Sequence, residues 1–99
     1  MLLAIMCYDK PASVELRIAT RPAHVEYLKS AGVRVKIAGR IMSPGDTPEP
    51  VGSLIIIDAA SETAVQLFAD NDPYATAGLF DKVEIQPWKR AIGAWGNED

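Results

Sequence analysis

Leu2-Leu3-Ala4-Ile5-Met6-Cys7-Tyr8 is a run whose two alternate sets of side chains are both apolar, and Leu54-Ile55-Ile56-Ile57 repeats the pattern. Short runs rich in branched residues read as strands. Apolar side chains on both faces place those strands inside a sheet rather than at its edge. Two other segments differ. Val33, Val35 and Ile37 alternate with Arg34, Lys36 and Ala38, and Val83 and Ile85 alternate with Glu84 and Gln86. Each reads as a strand with one buried face.

The segments between them read as helices and turns. Ser13 to Ala19 suits a short helix with Ser13 as its N-cap. Pro22 suits the first turn of a second helical segment, with Val25 and Leu28 as its buried stripe and Gly32 ending it. Residues 43–53 hold three prolines and two glycines and read as a loop. Ser61 can cap a third helix that turns Val65 and Phe68 inward. Asp72-Pro73 opens a further short piece that ends near Gly78. The order is β-α-β-β-α-β, an α+β, ferredoxin-like pattern with a four-stranded antiparallel sheet. The first and third strands are central in that topology. Helices cover one sheet face only, so the other needs a cover. A second copy of the chain, sheet against sheet, supplies one, and the long loop or the C-terminal tail is the alternative.

The 99 residues suit one domain, with residues 91–99 as a loose tail. A net charge of −3 and a pI near 5.0 argue against nucleic-acid or anionic-membrane partners. The single cysteine, Cys7, excludes an intrachain disulfide and reads as a small core residue. One histidine and one cysteine are too few for a structural zinc site. No phosphate loop, dinucleotide fingerprint or G-x-S-x-G elbow occurs. No run reaches membrane-spanning length, and the first residues lack the basic region of a signal peptide. The expectation is a reduced, cytoplasmic, soluble protein with no metal and no cofactor.

Few residues can carry chemistry. His24 is the sole histidine and the best general acid or base available. A partly exposed helix histidine without a role is the bland alternative. Asp72 explains itself as an N-cap before Pro73, but a carboxylate beside a histidine also fixes its tautomer. Arg17, Arg21 and Arg40 are candidates for an anionic ligand group, although such arginines are more often solvated. Tyr74, Phe80 and Trp88 read as core or rim.

Arg21-Pro22-Ala23-His24, then Ala38-Gly39-Arg40, then Gly52-Ser53 entering an apolar strand, then Asp70-Asn71-Asp72-Pro73-Tyr74 with Gly78 and Pro87-Trp88-Lys89, resembles the YciI-like (YCII-related) family over residues 2 to 90. The resemblance implies a ferredoxin-like fold, a homodimer built as a dimeric α/β barrel, and a His–Asp pair in a pocket near the dimer interface. Matched by motif, that pair is His24 and Asp72, with Arg21, Gly39 and Tyr74 as substrate-binding residues. One branch of the family holds a dehydrochlorinase of chlorinated hydroquinones. The implied activity is therefore cofactor-free proton transfer on a small polar, cyclic or aromatic molecule. A non-catalytic ligand-binding or assembly-forming homodimer is the alternative. Arg40 stands where the family often has proline, and the tail runs past Lys89.

Overall fold

The computed structural model describes residues 1–95. The elements run β1 (Leu2–Asp9), α1 (Val14–Ser30), one 3-10 turn (Gly32–Arg34), β2 (Val35–Met42), β3 (Pro50–Asp58), α2 (Glu62–Asp70), α3 (Pro73–Thr76) and β4 (Phe80–Pro87). The strands form one antiparallel sheet in the order β2-β3-β1-β4. This is the α+β, ferredoxin-like architecture, with the two all-apolar runs in the middle.

Register explains how one sheet carries two different faces. Leu3 stands opposite Ile57, Ile5 opposite Ile55 and Cys7 opposite Ser53, so these six share a face. Val65 and Ala69 of α2 close on it, and all the apolar members are buried. Ser53 is the polar exception in that row, and it marks where the site begins. On the other face lie Ala4, Met6, Leu54 and Ile56. Ala4 and Ile56 are buried, but Leu54 and Ile37 remain 40% and 46% exposed.

Residues 88–95 run beside this second face. The Trp88 N–H donates to the Leu2 carbonyl at 3.0 Å, and the Trp88 and Trp95 rings lie 5.5 Å apart. Together with Ala4, Met6, Ile37, Leu54 and Ile56 they bound a groove of about 510 Å³. Residues 91–94 are exposed and Trp95 is half-buried. The remainder of the expected tail, residues 96–99, lies outside the described residues.

Local expectations need three corrections. First, α1 is a single helix that passes through Pro22 rather than two segments. Proline there removes the hydrogen bond to the Ile18 carbonyl. Both residues are exposed, so water can satisfy that carbonyl. Ser13 occupies the N-cap position, but its hydroxyl donates back to the Pro11 carbonyl at 3.3 Å and caps nothing. Second, β2 starts at Val35. Val33 sits in the 3-10 turn and is 86% exposed. Gly32, at φ +61°, makes the left-handed exit from α1 that the sequence predicts. Third, the loop is shorter than residues 43–53, because β3 begins at Pro50. Ser43 and Glu49 close it with two hydrogen bonds of 2.8 and 2.9 Å. Gly52 therefore belongs to β3, where a Cβ would collide with the Cys7 carbonyl oxygen of β1. The close approach of the two central strands requires glycine at this point.

The other caps form as read. Ser61 accepts from the Ala64 N–H at 3.1 Å, and Asp72 from the Tyr74 N–H at 2.9 Å with Pro73 at the first helical position. Tyr27 fastens α1 to α2 by donating to the Phe68 carbonyl at 2.8 Å while stacking on the Phe68 ring.

Candidate active site

A cavity of about 380 Å³ opens between α1, β2 and β3, lined by residues of those elements and Tyr74 of α3. Helix α1 contributes Arg17, Arg21, His24, Val25 and Leu28. Their spacing follows the helical repeat, so all five lie on one face. The face is unusual because its two fully enclosed residues, Arg17 and His24, are polar, while Leu16 and Ile18 point outward. Strand β2 contributes Ala38, Gly39, Arg40 and Met42, and β3 contributes Ser53 and Ile55.

Asp72 stands behind the His24 ring. Its two oxygens lie 2.8 and 2.9 Å from His24 Nδ1, and its side chain is 3% exposed. A carboxylate only accepts, so Nδ1 carries the proton and donates it. In the neutral ring Nε2 is then the nitrogen with a free lone pair. The Asp72 cap does double service, because the Oδ1 that receives the Tyr74 N–H also receives His24. The Tyr74 ring completes the clamp. It stacks on the His24 ring with centroids 4.0 Å apart and planes inclined by 21°. The ring plane of His24 is thus set from one side by hydrogen bonding and from another by stacking.

A second buried pair lies two helical turns back along α1. Arg17 Nε donates to Asp9 Oδ2 at 2.6 Å and Nη2 to Asp9 Oδ1 at 2.8 Å, a bidentate contact. Nη2 also donates to Ser53 Oγ at 3.0 Å. The guanidinium lies 4.4 Å from the centre of the Tyr74 ring. Burial by itself pulls the Arg17 pKa down, but the hydrogen bonds and charge of Asp9 outweigh it and leave the pKa above its ordinary value. Burial pushes the Tyr74 hydroxyl pKa up, against the pull of Arg17 and Arg21. Between the pairs, on β1, the Cys7 thiol is pushed up to about 12, first by burial and then by the negative charge of Asp72.

The structure therefore brings together all five residues singled out in the sequence. His24, Arg21, Gly39 and Tyr74 line the cavity, and Asp72 backs His24. Arg17 and Arg40 line it as well. Sequence reasoning missed Asp9 and Ser53. Asp9 directly follows the first apolar run, and Ser53 stands both at the end of the loop reading and at the entry to an apolar strand. The usable signal was a lone polar side chain in the inward register of a central strand. Among the described residues no group of three or more histidine, cysteine, aspartate or glutamate side chains is placed to hold a metal ion. No helix among them is long and apolar enough to cross a membrane.

Comparison with known proteins agrees with this fold. The family model of the YCII-related domain matches residues 1–89. Protein YciI of Escherichia coli O6:H1 is 34% identical over 102 residues, covering 93% of this chain and the whole of that protein. An Emericella nidulans protein described as derivative of benzaldehyde biosynthesis cluster protein C is 40% identical over 72 residues, covering 66% of this chain and 74% of its own. Among solved structures, the 5-chloro-2-hydroxyhydroquinone dehydrochlorinase TftG from Burkholderia phenoliruptrix AC1100, in complex with 2,5-dihydroxybenzoquinone, superposes with a TM-score of 0.86. It is 32% identical, with 92% of this chain and 96% of that chain covered.

Proposed function

The chain belongs to the YCII-related family, and from that premise we propose that it is a cofactor-independent enzyme that moves a proton on a small ring molecule. The observation that carries the reading is the His24–Asp72 contact at 2.8 Å, with the histidine on a cavity wall and the carboxylate enclosed behind it. That arrangement presets one tautomer and leaves Nε2 to act as base. The similarity to a dehydrochlorinase supports a small-molecule reaction of this class.

The step balances without an oxidant or reductant. His24 Nε2 takes a proton from a carbon or hydroxyl of the ligand, and the electron pair moves onto a ligand oxygen. Asp72 holds the charged imidazolium through Nδ1. Arg21 and the Tyr74 hydroxyl, both at the cavity, stabilise the negative oxygen. Return of the proton to another carbon gives isomerisation. Departure of an anionic group such as chloride gives elimination, with the proton leaving His24 to solvent.

The test is solvent-deuterium exchange into 2,5-dihydroxybenzoquinone and chloride release from chlorinated hydroxyhydroquinones, each with wild type and His24→Ala. Loss of either activity by a factor of about 10² or more in the folded variant supports the role. Activity that survives His24→Ala removes it.

We infer also that the working unit is a homodimer joined through the second sheet face. The half-exposed Ile37 and Leu54 beside buried Ala4 and Ile56 support this, since a sheet face with apolar residues needs a cover. Light scattering at micromolar concentration should give twice the chain mass, and Leu54→Glu should shift it toward the monomer. A wild-type monomer would sink the idea.

A further inference from the structure

The polar groups on the cavity wall are one-sided. Arg17, Arg21, His24, Arg40, Ser53 and Tyr74 line it, and among the described residues no carboxylate does. The two carboxylates close by are already committed, Asp9 to Arg17 and Asp72 to His24. Among the described residues, Arg21 and Arg40 have no ion-pair partner. They stand on different walls. Arg21 follows Arg17 by one turn on α1. Arg40 is opposite Ser53 in the sheet register, which turns it to the same side as Ser53, toward α1. Both are exposed and so form the rim, with Arg17 deeper. Arg17 itself is held in place by Asp9 and Ser53. The rest of the wall is apolar, formed by Val25, Leu28, Ala38, Met42 and Ile55 with Gly39.

We propose that the cavity takes a small ring acid and that Arg40, together with Arg21, receives its carboxylate. This rests on the reading of His24 as the proton-transfer residue of the same cavity, and it names the substrate class. Two arginines converging on one rim repel each other until an anion sits between them. A planar carboxylate matches guanidinium donors two at a time. A volume of about 380 Å³ is at the small end of ligand sites, enough for one substituted ring. The ring then rests on Val25, Leu28 and Ile55, within the part of the cavity that His24 lines. Arg40 becomes the residue that separates acids from neutral ring molecules, while His24 serves either.

The experiment compares 2,5-dihydroxybenzoate with hydroquinone, which lacks the carboxylate, by isothermal titration. Wild type, Arg40→Gln and Lys82→Gln are measured at one ionic strength, with inorganic phosphate as a further ligand. Lys82 lies on β4 outside the cavity and controls for net charge. In wild type the acid should bind about tenfold tighter or better, the size of one charge-assisted hydrogen bond. Arg40→Gln should bring the two ligands to within about twofold, and Lys82→Gln should leave the preference intact. Equal binding of both ligands by wild type, no binding of the acid, or a preference that survives Arg40→Gln overturns the proposal. So does phosphate binding as tightly as the acid, which would make the rim a general oxyanion site. Failure of the proton-transfer reading looks different. The acid would bind in an Arg40-dependent way while neither ligand exchanges deuterium.

Discussion

Helix α1 meets two buried carboxylates, and the two meetings are built for opposite purposes. Arg17 and Asp9 form a pair whose side chains are 1% and 4% exposed, tied by two short hydrogen bonds and braced by Ser53. His24 and Asp72 are nearly as enclosed, at 10% and 3%. The guanidinium, however, never gives up its proton near neutral pH, whereas imidazole does so readily. One pair is a fixed joint between α1 and the end of β1. The other is a titratable group held in register by a carboxylate. Tyr74 contacts both, stacked on His24 and lying under the Arg17 guanidinium. The fixed joint thereby helps to place the movable proton.

The sharpest way to break the contrast is Arg17→Met. It leaves the Asp9 carboxylate enclosed without a counter-charge, which costs about 3–5 kcal/mol when a buried pair loses one partner. Urea unfolding monitored by circular dichroism should show that loss. The double variant Asp9→Leu with Arg17→Met should recover much of it, because an apolar replacement of both partners is often close to neutral. A loss below about 1 kcal/mol for the single variant would mean that Asp9 reaches water and that the joint is not fixed.

Asp72→Asn tests the other member. The amide retains an oxygen that can accept from the Tyr74 N–H and from Nδ1, so the stability cost should be smaller, about 1–2 kcal/mol. Proton transfer should suffer far more, by a factor of about 10² to 10⁴, since the variant can hold the wrong tautomer and cannot stabilise the imidazolium. An Asp72→Asn protein that loses stability as Arg17→Met does, while keeping its activity, would reverse the two roles. Ser53→Ala is milder again. It removes one of several hydrogen bonds to Arg17 and should cost about 1 kcal/mol in the same unfolding experiment.

The asymmetry between the pairs also governs how much was readable beforehand. The strand order followed from which runs are apolar on both faces. His24 and Asp72 followed from family motifs, and the Asp-Pro cap placed the carboxylate at a helix start. The Arg17–Asp9 pair left no such trace. It joins residues eight apart across a turn, and nothing local distinguishes a buried arginine from a solvated one. Pro22 misled for a related reason. Its local preference is for a helix start, but α1 is anchored at Arg17 before it and at His24 after it. Tertiary contacts on both sides outweigh one lost hydrogen bond on the solvent face. Ser13 and Ser61 look alike in sequence, yet only Ser61 caps. The Ser13 hydroxyl finds the Pro11 carbonyl first.

Cys7 offers the finest probe of the comparison, because its thiol feels both pairs. Burial is the largest cause of the rise in its pKa from 9.0 to about 12; Asp72 and Asp9 contribute to the rise, and Arg17 opposes it. The folded state thus binds the thiol proton more tightly than the unfolded chain does. Between pH 9 and about 12 the unfolded chain holds fewer protons. Stability from this group is therefore complete below pH 9 and declines as the pH rises through that window. At pH 8 the native thiol should be inert toward a disulfide reagent and react only on unfolding. Asp72→Asn removes the largest electrostatic contribution, so the Cys7 pKa should fall modestly, and Ser53→Ala should leave it unchanged. The measurement is the thiolate absorbance of the folded protein between pH 8 and 11, taken as the difference from Cys7→Ala. If Asp72→Asn leaves that profile unmoved, Asp72 is not charged behind His24, and the titratable member of the comparison loses its counter-ion.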